Sequence, residues 1–229
     1  MSLFDYFKKK QEAKLQAARK PAFSALHTEK GEYMAFQDKL KGHSLILLIL
    51  GRRGSGKTAL GMKLLEFLSR QKRKTYCIGF SKAKLPLRIK KAESIEDIPN
   101  GAAVLIDEGA VLFSARDAMK KDNKAIGKLL AIARHKDLSL ILITQNSAMI
   151  DLNVLRLSDT LLIKEPSMLQ SRFERKALKD FYDKAVPHFA EKGEAGKKPL
   201  VYVFDDDFEG LLNFSLPEFW NESVSKSFR

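Results

Sequence analysis

The run Gly51-Arg-Arg-Gly-Ser-Gly-Lys57-Thr58 satisfies the pattern G-x-x-x-x-G-K-[ST] without a mismatch, and it constrains this chain more than any other stretch. Before it lies the apolar, β-rich segment 44–50. After it, residues 59–68 carry apolar side chains at helical spacing. Strand, glycine-rich turn and helix is the context in which such a pattern acts as a phosphate loop. Glycines let the backbone curl so that several N–H groups point inward at a helix N-terminus, where the dipole also favours an anion. Gly51, Arg53, Gly54, Ser55, Gly56, Lys57, Thr58 and Ala59 are therefore the expected contacts to a nucleoside triphosphate. Lys57 is expected to neutralise the terminal phosphates, with the Thr58 hydroxyl placed for Mg²⁺.

Two further motifs belong with this loop. Residues 101–107 form an apolar strand that ends in adjacent carboxylates, Asp107 and Glu108. In nucleoside triphosphatases an acid at this point holds Mg²⁺ through water, and a second polarises the attacking water. Asp107 fits the first task and Glu108 the second. An amphipathic helix carrying Ile126, Leu129, Leu130, Ile132 and Ala133 leads through Arg134 to a strand over 138–144, which runs straight into Gln145. An amide at the tip of a buried strand is placed to sense the γ-phosphate and the catalytic water.

The remaining elements are read more coarsely. A strand is expected over 76–80, a short helix over 151–157, a strand over 160–164, a helix over 169–184 and a strand over 200–204. Residues 191–198 read as a surface loop. Asp205, Asp206 and Asp207 read as a solvated acidic turn, because no other ligand type is near in sequence to complete a metal site. The four histidines are scattered and Cys77 stands alone, so no zinc-type spacing exists.

At 229 residues, 45% hydrophobic and 30% charged, the chain suits one α/β core with small appendages. No apolar run approaches the roughly 20 residues that cross a bilayer. With one cysteine and no signal-peptide pattern, a reducing, cytoplasmic setting is expected. The net charge of +13 favours a polyanion, either nucleic acid or an anionic membrane. From Arg70 to Lys91 there is no acidic residue. Lys82, Lys84 and Arg88 from that run, with Lys120 and Lys121, are the expected contacts to a phosphodiester backbone. The expected division is a basic arm over 1–42, a nucleotide-binding domain over 43–209 and a tail over 210–229. A weak helix is expected near 32–40 in the arm. The arm suits a nucleic-acid clamp, a membrane-surface helix, a docking peptide or an extension lying across the core.

The segment 132–145, Ile-Ala-Arg-His-Lys-Asp-Leu-Ser-Leu-Ile-Leu-Ile-Thr-Gln, resembles the HerA/FtsK superfamily of P-loop ATPases. That superfamily holds DNA translocases, zonula occludens toxin-like phage assembly proteins and viral genome-packaging ATPases. The likeness spans about residues 44–165. It implies a three-layer α/β/α P-loop NTPase fold, RecA/FtsK-like, with a mostly parallel sheet and an extra strand between the two nucleotide motifs. It also implies ATP and Mg²⁺ as cofactors, a hexameric or pentameric ring, and nucleic acid in the central channel, with double-stranded DNA the expected partner. Lys57, Glu108, Gln145 and an arginine from the neighbouring subunit would form the catalytic set, with Arg134 the first choice for that arginine. The small chain looks most like a packaging ATPase, acting in the host cytoplasm or the virion with a capsid or membrane protein as partner. The alternative is a nucleotide-dependent, membrane-associated assembly factor. A small-molecule kinase is disfavoured, because Glu108 would spend ATP on water.

Overall fold

The computed structural model of the chain describes residues 21–42, 44–107, 122–144, 152–167, 176–190, 194–221 and 224. In chain order the elements are β1 (Phe23–Gly31), α1 (Tyr33–Lys41), β2 (Ile46–Leu50), α2 (Lys57–Arg70), β3 (Thr75–Ile78), β4 (Ile89–Lys91) and β5 (Ala103–Asp107). There follow α3 (Asp122–His135), β6 (Ser139–Ile143), α4 (Leu152–Leu157), β7 (Thr160–Ile163), α5 (Lys176–Ala185), α6 (Pro187–Ala190), α7 (Glu194–Lys197), β8 (Leu200–Asp205) and β9 (Phe208–Phe214).

Nine strands among the described residues make one sheet, ordered β1-β9-β8-β7-β2-β6-β5-β3-β4. The six from β7 to β4 are mutually parallel. Strands covered on both faces must be apolar at every position, which explains the unbroken aliphatic runs of β2, β5 and β6. Alternate side chains point to opposite faces. Ile46, Leu48, Leu50, Val104 and Ile106 join Leu129, Leu130 and Ala133 of α3 and Tyr182 of α5. Leu47, Ile49, Leu105, Ile141 and Ile143 join Leu60, Leu64 and Leu65 of α2. Each face thus buries a helix layer, and the result is a three-layer α/β/α fold. The strand expected to lead into Gln145 is β6, and it lies between β2 and β5 as the resemblance implied.

Beyond β7 the sheet continues antiparallel through β8, β9 and β1. This extension crosses both expected boundaries, since residues 23–31 and 208–214 belong to the same sheet as the phosphate-loop strand. The expected arm and tail therefore contribute strands to the core domain. Strand β1 shows no apolar alternation, and only Phe23 in it is buried, because the ladder to β9 holds it rather than a packed face. The expected helix near 32–40 is α1, which buries Phe36 and Leu40. Phe36 stacks on Phe208 with ring centres 5.9 Å apart. Within the acidic turn Asp205 is withdrawn from solvent, accepting from Lys39 at 2.9 Å and from the Thr160 hydroxyl. Part of the expected loop 191–198 is helical, as α7.

On α2, the Glu66 carboxylate has no exposed surface and accepts from Lys63 at 2.7 Å, from Arg88 at 2.9 Å and from the Glu218 backbone N–H at 2.9 Å. The network ties the loop before β4 and the residues after β9 to one helix. Removing one member of a buried ion pair strands the other. Glu66→Ala is accordingly expected to cost about 3–5 kcal/mol, read as a lowered midpoint in urea unfolding. A loss below about 1 kcal/mol, the range of exposed pairs, would mean that the carboxylate is not needed there.

Candidate functional site

In parallel α/β sheets the useful edge is the one where strands end, because loops and helix N-termini gather there. Here β2 ends at Leu50 and enters the glycine-rich loop, and Lys57 opens α2 behind Gly56. Gly51, Gly54 and Gly56 have φ of 147°, 79° and 93°, a region that side chains other than glycine's strongly resist. No acidic residue occupies the first turn of α2, so nothing competes with an anion for its dipole. The Lys57 ammonium is nearly buried and folds back to donate to Gly51 O at 2.7 Å and Arg52 O at 2.9 Å. Ser55 Oγ is buried without a hydrogen-bond partner among the described residues. A buried hydroxyl of this kind calls for a ligand oxygen or water, and the donor set around it suits a phosphate.

Asp107 is the last residue of β5 and pairs in register with Ile143 of β6, so it stands at the same edge as the loop. Thr144 follows β6 there too. Glu108 and Gln145, the next residue in each case, lie outside the described residues, as do Lys120 and Lys121.

The other side of the loop is lined by residues that sequence reasoning missed. Glu165, just past β7, accepts from Arg52 at 2.7 Å and from Lys197 at 2.7 Å. Burial works against its charge, but these hydrogen bonds outweigh burial and hold the carboxyl below the usual range. A cleft of about 160 Å³ opens between Arg52, Arg53, Ser55, Glu165, Lys197 and Lys198. Four cations and one acid around it leave a net positive site beside the phosphate loop. Lys197 and Lys198 sit in the stretch read as a surface loop, and nothing local in sequence marks them.

Of four further expected residues, two are placed differently from the expectation. Lys82 and Lys84 are exposed on the loop after β3. Arg88 does not join them as a free cation, because its guanidinium pairs with buried Glu66 at 2.9 Å. Arg134 lies at the opposite edge, where the strands begin. It donates to Asp159 at 3.0 Å, Leu157 O at 3.0 Å and Ser44 O at 3.2 Å. This differs from a guanidinium held out to a neighbouring subunit, because these bonds tie it to the segments that lead into β2 and β7.

A glycine-rich loop between a central parallel strand and a buried helix, with an acid at the tip of the second strand along, defines a P-loop nucleoside triphosphatase fold with one strand inserted between its motifs. Within that class, residues 61–161 match the family profile described as Zonular occludens toxin (Zot). The fold is also similar to the genome packaging NTPase B204 from Sulfolobus turreted icosahedral virus 2. For its complex with AMPPCP the identity is 17% and the TM-score 0.50, covering 76% of this chain and 99% of that one. For its complex with sulfate the identity is 18% and the TM-score 0.50, covering 76% of this chain and 97% of that one. At such identities the likeness establishes the shared fold. No curated protein matches the sequence.

Proposed function

We propose that this chain hydrolyses ATP to move double-stranded DNA, and that it packages a viral genome into a capsid. The observation that carries the reading is the meeting of the phosphate loop and Asp107 at one sheet edge, with β6 between their strands. Lys57 and the loop amides would hold the β- and γ-phosphates, while Thr58 and Asp107 would hold Mg²⁺. Bound there, Mg²⁺ would supply positive charge against the negative charge that develops on the phosphates. Glu108 would orient and deprotonate the attacking water, and Gln145 would contact the γ-phosphate. In a ring, an arginine from the neighbouring subunit would complete the charge stabilisation. For Arg134 to supply it, the Asp159 pair would have to open on assembly. The net charge of +13 and the exposed Lys82 and Lys84 support a nucleic-acid track. B204, whose fold is similar, is a genome packaging NTPase.

The test is ATP turnover by a size-defined oligomer with and without duplex DNA at low salt. Stimulation that fades as salt rises is the expected result. Turnover indifferent to DNA, together with no DNA binding, would remove the translocase reading.

The match to the Zot family profile over 61–161 favours a second reading, a nucleotide-dependent assembly factor at a membrane. Among the described residues no helix is long and apolar enough to cross one. Surface binding can be examined by sedimenting the full chain, and a chain lacking residues 1–20, with anionic liposomes. Lipid binding lost with those residues, in a protein without DNA affinity, would favour this reading over the first.

A further inference from the structure

Lys164 has a place beneath the phosphate loop that the mechanism above does not use. It follows the last residue of β7 and is fully buried. Its backbone N–H donates to Leu50 O at 2.8 Å, carrying the β7 pairing to the root of the loop. A Cβ placed on Gly51 would stand 2.7 Å from Lys164 Cβ. One placed on Gly56 would stand 3.7 Å from Lys164 Cε and 3.3 Å from Lys198 O. The lysine thus underlies both ends of the glycine-rich turn. Its Nζ donates to Lys198 O at 2.6 Å and to Leu200 O, and lies 4.7 Å from the centre of the Phe214 ring.

A buried amine is a costly way to fill space that a methionine would also fill. Part of its use is local. The β7–β8 pairing reaches only Ile163 opposite Tyr202, and beyond it the carbonyls of Leu200 and Lys198 need donors. Its neighbours give it a second use. Lys198 lines the cleft beside the loop, and Glu165, next in the chain, holds Arg52 on one side and Lys197 on the other. One side chain therefore links the floor of the turn to the wall formed by 197–200.

We propose that Lys164 is a positioning residue for nucleotide binding, fixing the phosphate loop against the 197–200 wall without touching the nucleotide. The proposal rests on the reading of Gly51 to Thr58 as a triphosphate site. Lys164→Met, close in volume, is expected to weaken the binding of a fluorescent ATP analogue by about tenfold in protein that remains folded. Amide exchange should quicken over residues 51–58 while β2 and β6 keep their protection. Lys164→Gln retains a donor and should recover part of the affinity, and it serves in place of the methionine variant should that one fail to fold.

A residue that merely satisfies carbonyls would lower the melting temperature and leave the affinity of the folded protein intact. That outcome would overturn the proposal. Lys57→Ala separates the two levels. Loss of affinity in Lys57→Ala alone removes the role of Lys164, whereas full affinity retained in Lys57→Ala removes the triphosphate site itself.

Discussion

Lys57→Ala is expected to weaken ATP binding by about a hundredfold or more, measured by titration of a labelled nucleotide at physiological salt. The ammonium opens α2, is nearly buried, and lies within 2.7 Å of Gly51 O and 2.9 Å of Arg52 O. It is thus held inside the turn that would wrap the phosphates, in surroundings that screen charge poorly. Removing one partner of a desolvated, hydrogen-bonded charge pair costs about 2–5 kcal/mol, and about 2.8 kcal/mol is a hundredfold in affinity. Arg52, Arg53, Lys197 and Lys198 remain around the adjoining cleft. Weak residual anion binding is therefore expected, and it should fall away as salt rises. Full affinity in Lys57→Ala would move the nucleotide to another part of the molecule.

Glu108→Gln is expected to do the reverse, keeping ATP while hydrolysis falls. Glu108 is next in sequence to Asp107, and Asp107 ends β5 at the edge where the loop and Thr144 also stand. A positioned general base contributes about 10²–10⁴ to a rate. The amide preserves shape and removes basicity, so single-turnover hydrolysis should drop within that range with the dissociation constant nearly unchanged. Normal turnover would take Glu108 out of the mechanism. Weakened binding would instead assign the residue to holding the metal or the nucleotide.

These two expectations draw on the part of the molecule most legible in its sequence. A phosphate loop is a local structure: three glycines at positive φ, a lysine and a helix start are contiguous and leave a pattern no distant residue has to complete. The central strands were legible for a related reason, since burial on both faces turns β2, β5 and β6 into uninterrupted aliphatic runs. The edge of the sheet was not. β1 is polar along most of its length, and its backbone ladder to β9 leaves no trace in side-chain pattern. Charged residues were the least readable, because a cation in solvent and one in an internal pair look the same in a sequence. Arg88 turns to Glu66 and Arg134 to Asp159, while Lys197 lies beside the loop from about 140 residues away.

The sequence by itself determined that this chain has a triphosphate-type loop on a mostly parallel α/β sheet, with carboxylates at the end of a second buried strand. Short-range geometry and two-sided burial write themselves into neighbouring residues. Only the tertiary structure decided that β1 and β9 extend the sheet, and that Lys164, Glu165, Lys197 and Lys198 form the wall beside the loop. Those facts depend on which strands lie side by side, and pairing between segments far apart in the chain is settled by the packing of the whole core.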